Sequence, residues 1–118
     1  MVLCLVDDLI FSIKISTAAK ALNVPIFFER APDRALPCIR EKQPSLVILD
    51  LNSGKLQPME VIAALKGDPD LKSIRTLGYV SHVQTDVIAA ARAAGIDEVV
   101  ARSTFSDRLG EILTGTRG

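Results

Sequence analysis

The sequence predicts an α/β layer sandwich built on a parallel sheet, and three features point to it. Short β-type apolar runs recur five times, at Val2 to Val6, Pro25 to Phe28, Leu46 to Leu49, Thr76 to Val80 and Glu98 to Ala101. Between them lie longer segments with apolar residues at three- and four-residue steps. The runs at Val2 and Leu46 are continuously apolar, as strands covered on both faces must be. Strand and helix in regular alternation imply parallel strands joined by right-handed crossovers, with helices on both faces of the sheet.

Each element has its own signal. The first run, VLCLV, ends at Asp7-Asp8, and a helix follows in which Phe11, Ile15, Ala18 and Leu22 share one face. Pro25 opens the second run and Glu29-Arg30 close it, a pattern suited to an edge strand. Pro32, a favourable first-turn residue, starts a second helix that runs to near Lys42. The third run stops at Asp50, ahead of the turn-like Asn52-Ser53-Gly54. Pro58, with Glu60 in the first turn, begins a third helix that ends around Gly67-Asp68-Pro69. Thr85 or Asp86 opens a fourth helix closed by Gly95 as a left-handed cap. Thr104 or Ser106 opens the last, which carries Leu109, Ile112 and Leu113. Residues 1–114 are expected to form one domain, with 115–118 a frayed tail.

Composition narrows the function. A chain of 118 residues fits one domain with a real core. Fourteen Lys and Arg balance fourteen Asp and Glu, so bulk charge draws neither nucleic acid nor an acidic membrane. Cys4 and Cys38 show no metal or redox spacing and read as two buried, unpaired thiols of a reducing cytosol. The start MVLCLVDD is too short for a signal peptide and lacks a basic leader, and no apolar segment approaches bilayer length. A cytoplasmic location is expected. The seven glycines are scattered, with no P-loop or G-x-G-x-x-G, and neither a nucleophile elbow nor a cysteine–histidine pair is present. Both gaps weigh against a nucleotide-binding or hydrolytic enzyme.

In open parallel sheets, ligands sit beyond the carboxyl ends of the strands. Those ends deliver Asp7 and Asp8, Asp50, Ser81 with His82, and Arg102. Taken singly, each has an ordinary explanation: an Asp or Ser as a cap or turn former, an Arg as a solvated charge, His82 as a loop residue at the rim. Their coincidence at successive strand ends is the signal. Three close carboxylates resist full ionisation without a cation. Oxygen donors with no Cys or His among them favour Mg²⁺ over zinc or copper. Arg102 and Ser81 suit phosphoryl oxygens, and Asp50 can serve as a carboxylate nucleophile. Ile10, Phe11 and Ile13 cannot all face inward, so one or two are expected to form an exposed apolar surface beside the acids.

The ordered set VLCLVDD, PSLVILDLN, GYVSH and AGIDEVVARS resembles the receiver domain of two-component response regulators. The resemblance implies a flavodoxin-like (βα)5 three-layer sandwich with parallel strand order 2-1-3-4-5. It makes Asp7 and Asp8 the acidic metal-binding pair and Asp50 the phospho-acceptor. Asn52 would complete a Mg²⁺ shell through its backbone carbonyl, and Ser81 would be the switch hydroxyl. It further implies a signalling domain and not an enzyme, beyond self-phosphotransfer and autodephosphorylation. The expected donor is a histidine kinase or histidine phosphotransfer protein. The expected target is a separate output protein, reached through helix 4, strand 5 and helix 5; a homodimer is common in that family.

The departures from the family pattern define a second reading. Arg102-Ser103 stands where receivers carry Lys-Pro, and an Arg fork does not replace a point-like ammonium group for group. Val99 replaces the aromatic switch residue, His82 a small one, and SGKLQP the familiar Met-Pro-Gly loop. These fit a phosphorylation-independent pseudo-receiver, a module for protein interaction or dimerisation.

Overall fold

The computed structural model describes residues 1–81 and 84–115. His82 and residues 116–118 of the expected tail lie outside the described residues. The strands are β1 (Val2–Leu5), β2 (Ile26–Phe28), β3 (Leu46–Asp50), β4 (Arg75–Val80) and β5 (Glu98–Ala101). The helices are α1 (Leu9–Ala21), α2 (Pro32–Lys42), α3 (Pro58–Gly67), α4 (Thr85–Ala94), α5 (Arg102–Asp107) and α6 (Leu109–Thr114). A 3₁₀ turn, Gly54–Leu56, bridges β3 and α3.

The sheet is parallel throughout, in the order β2-β1-β3-β4-β5. The expected order is therefore found, with the proline-led β2 at one edge. Alternation along the strands sends side chains to two cores. Leu3, Leu5, Val47 and Leu49 face α2, α3 and α4 through Ala35, Ile39, Ile62, Leu65 and Ala91. Val2, Cys4, Leu46, Ile48 and Tyr79 face α1, α5 and α6 through Phe11, Ile15, Phe105, Leu109 and Ile112. Burial on both sides explains why β1 and β3 are continuously apolar.

Local chemistry sets the helix ends. Asp8 caps α1 by accepting the Phe11 backbone N–H at 3.0 Å. Pro32 and Pro58 occupy the first turns of α2 and α3, where a missing N–H costs nothing. Gly95 ends α4 at φ 107°, a conformation that only glycine adopts without strain.

Four expectations need correction. The last helix starts at Arg102, not at Thr104 or Ser106, and Ala101 caps it without a side-chain bond. Packing overrides the cap preference here: the chain must turn at once to drive Phe105 between the helices and β4, where it stacks on Tyr79 at 4.9 Å. The segment also divides at Arg108 into two short helices. On α1, the buried stripe is Phe11, Ser12, Ile15 and Ala19; Ala18 is only partly covered and Leu22, past the helix end, is exposed. Cys4 is fully buried, whereas Cys38 on α2 is only half-buried; both thiols are free.

Candidate functional site

Five parallel strands place all five carboxyl ends at one edge of the sheet, and the polar groups follow from that. Asp50 is the last residue of β3 and lies opposite Tyr79 of β4. Asp7 and Asp8 follow β1, Ser81 follows β4, and Arg102 directly follows β5, whose Ala101 pairs with Val80.

Asp50 is half-buried. Lost hydration is the main force raising its carboxyl above the usual carboxylate range. The Asn52 N–H, donated to Oδ1 at 3.0 Å, and the positive charge of Arg102 pull the other way. The negative charges of Asp8 and then Asp7 add to the rise. The structure thus brings Asp7, Asp8, Asp50 and Arg102 into one electrostatic neighbourhood, as the strand-end reading expects.

Arg102 binds Asp8. Its Nη2 donates to Asp8 Oδ2 at 2.6 Å, while Oδ1 of the same carboxylate holds the Phe11 N–H. The Phe11 N–H and then Arg102 hold the Asp8 carboxyl below its ordinary range against a desolvation that pushes it up. The guanidinium also lies over the Phe11 ring, 4.4 Å from its centroid. That ring is itself fixed, 4.9 Å from Tyr79 and 5.5 Å from Phe105. Asp7 has a looser partner in Lys55 at 3.5 Å, an exposed pair worth about 0–1 kcal/mol.

A second network crosses the mouth of the site. Asn52 Oδ1 accepts the Ser81 backbone N–H at 2.6 Å, and Asn52 Nδ2 donates to Gln84 Oε1. The loop after β3 is thereby tied to the loop after β4. On the α1 and α5 side of the sheet, the Tyr79 hydroxyl is buried without a hydrogen-bond partner among the described residues. Burial first, and the charge of Asp50 second, push that phenol well above its normal range. Val99, at the position of the family's aromatic switch, packs partly buried toward α4 and offers no ring.

The donor set of Asp7, Asp8, Asp50 and the Asn52 carbonyl fits a hard divalent cation in kind. In arrangement, the acids are engaged elsewhere: Asp8 with Arg102 and Asp7 with Lys55. Among the described residues, no three Asp, Glu, His or Cys side chains stand grouped to hold an ion. Lys55, Gln84 and the ring of Phe11 were not foreseen as members of the site. Lys55 was legible only as a positive charge in the loop after Asp50, and nothing in sequence marks Gln84.

No family model matches the chain. Response regulator Rcp1 of Synechocystis sp. (strain ATCC 27184 / PCC 6803 / Kazusa) is 45% identical over 49 residues, 41% of this chain and 33% of that protein. The match thus spans about a third of that relative's length. Among solved structures, a response regulator from Hahella chejuensis superposes with TM-score 0.85 at 21% identity, over 96% of this chain and 91% of that one. The phosphorylated cyanobacterial phytochrome response regulator RcpA gives 0.81 at 22%, over 98% and 89%. The Mn²⁺-bound form of Rcp1 gives 0.74 at 23%, over 97% and 88%. By fold, then, this chain is similar to the receiver domains of response regulators, a flavodoxin-like sandwich with strand order 2-1-3-4-5.

Proposed function

We propose that the domain accepts a phosphoryl group on Asp50 and passes the resulting change to a separate protein, as a cytoplasmic member of a two-component relay. One observation carries the reading: a half-dry carboxylate at a strand end, beside an arginine and two further acids. Partial desolvation leaves Asp50 more basic than a surface aspartate, and hence a better nucleophile. One of its oxygens forms a bond to phosphorus as the bond to the donor's imidazole nitrogen breaks, and the imidazole leaves neutral after taking a proton from solvent. Asp7, Asp8, Asp50 and the Asn52 carbonyl would hold Mg²⁺, which when bound offsets the negative charge gathered between carboxylate and phosphoryl oxygens. Ser81 offers a hydroxyl, and Arg102 a guanidinium, to those oxygens. The phosphorylated RcpA and Mn²⁺-bound Rcp1 structures support the same reading by likeness of fold. The donor would be a histidine kinase or phosphotransfer protein.

Incubation with acetyl phosphate and Mg²⁺ tests this. A mass increase of one phosphoryl group is expected in the wild type and absent in Asp50→Asn; equal behaviour of the two rejects Asp50 as the acceptor.

The Arg102–Asp8 pair favours a second reading, a pseudo-receiver that signals by binding alone. Under it, Asp50→Ala leaves signalling in cells intact; loss of signalling by a folded Asp50→Ala protein excludes it.

A further inference from the structure

Arg102 is held on three sides, and what holds it bears on how any cation enters the site. Its first constraint is Asp8 Oδ2 at 2.6 Å, a charge-assisted contact. The second is the Phe11 face at 4.4 Å, a surface on which a flat guanidinium can lie. The third is its own backbone, which begins α5 immediately after β5. Asp8 is likewise committed at both oxygens, to Arg102 and to the Phe11 N–H. The Phe11 bond is a three-residue helix cap that the backbone of α1 keeps in place. The side chain of Arg102 is the partner that can move.

We propose that Arg102 is the resident counter-cation of Asp8, and that a divalent ion gains this carboxylate only by displacing the guanidinium from it. Cation binding and release of Arg102 are then one event. Asp7 poses a smaller obstacle, because Lys55 is longer, more exposed and farther from its carboxylate. A guanidinium and a divalent ion crowded onto one carboxylate oxygen repel each other, so metal affinity at rest is low, and the Phe11 ring sets how low. Once released, the guanidinium stays tethered beside Asp50, whose charge already senses it. The proposal rests on the divalent-ion part of the proposed function and needs no phosphoryl transfer.

Mn²⁺ titration of the full chain, followed by the loss of the free-ion electron paramagnetic resonance signal, reads it directly. Arg102→Gln is expected to bind Mn²⁺ about tenfold tighter than wild type. Phe11→Leu keeps every charge but removes the ring that seats the guanidinium, and is expected to tighten binding about threefold. Circular dichroism confirms that both variants are folded. In wild type, diamagnetic Mg²⁺ should shift the Arg102 Nε–H resonance as the guanidinium leaves Asp8. Equal Mn²⁺ affinity in wild type and Arg102→Gln, or no binding in either, overturns the proposal. Tightening in Arg102→Gln with none in Phe11→Leu also overturns it, because through-space repulsion then accounts for the effect. If these titrations succeed while acetyl phosphate adds no mass, phosphoryl acceptance fails and the displacement stands.

Discussion

The two edges of the sheet each carry an aspartate, and they are furnished in opposite ways. At the amino edge, Asp97 Oδ2 accepts Lys66 Nζ at 2.7 Å, the Thr76 N–H at 2.8 Å and the Thr76 hydroxyl at 3.0 Å. The Asp97 N–H returns a bond to Thr76 Oγ1 at 3.0 Å. Lys66 donates further to the carbonyls of Lys72 and Ile74, at 3.0 and 2.8 Å, so all three ammonium protons are used. Desolvation pushes the Asp97 carboxyl up, but Lys66 and Thr76 outweigh it and the net shift is downward. At the carboxyl edge, the Asp50 carboxylate accepts only the Asn52 N–H among the described residues and senses two more acids, and its net shift is upward. A carboxylate saturated with donors fastens strands; one left short of donors is poised to react with something that brings positive charge or an electrophile.

The largest effect that separates the edges is expected from Asp97→Ala. It strands the Lys66 ammonium and the Thr76 N–H, and should cost about 2–3 kcal/mol in urea unfolding. Asp50→Asn should change stability by less than about 1 kcal/mol, in the stabilising direction, because it removes a desolvated charge. Similar losses from the two substitutions would erase the distinction.

The pH dependence should differ in sign. A carboxyl raised in the folded state, as at Asp50, binds more protons folded than unfolded just above the ordinary value of 3.8. Its contribution to stability is greatest below 3.8 and declines as pH rises through the folded value. A lowered carboxyl, as at Asp97, contributes above 3.8 and loses that contribution as pH falls through its folded value. Unfolding measured from acid to neutral pH with chelator present should show Asp50→Asn removing a decline with rising pH, and Asp97→Asn removing a rise. The reverse pairing would refute the electrostatic contrast.

The smallest effect is expected on α1, next to the carboxyl edge. Leu9, Ile10 and Ile13 are 67%, 80% and 57% exposed, so the expected apolar surface is present. Ile10→Ser should alter unfolding by less than about 0.5 kcal/mol. A larger loss would mean that this face supports the fold and is not merely open.

Much of this was legible because strands and parallel sheets impose strong periodicity. The five apolar runs located all five strands to within a residue or so, and the strand-end rule placed Asp7, Asp8, Asp50, Ser81 and Arg102 at one edge. The start of α5 was not legible, because a buried Phe105 fixed it where no capping residue stands. Nor could the sequence say that Asn52 spends its side chain on Ser81 and Gln84, since that link joins residues 29 and 32 apart.

By itself the sequence determined the layers, the parallel sheet and the location of the acidic edge, because burial writes its pattern into neighbouring residues along the chain. Only the tertiary structure decided which charges meet there. Arg102 and Asp8 lie 94 positions apart, and their contact depends on how β5, α5 and the Phe11 ring pack together, which no local pattern encodes.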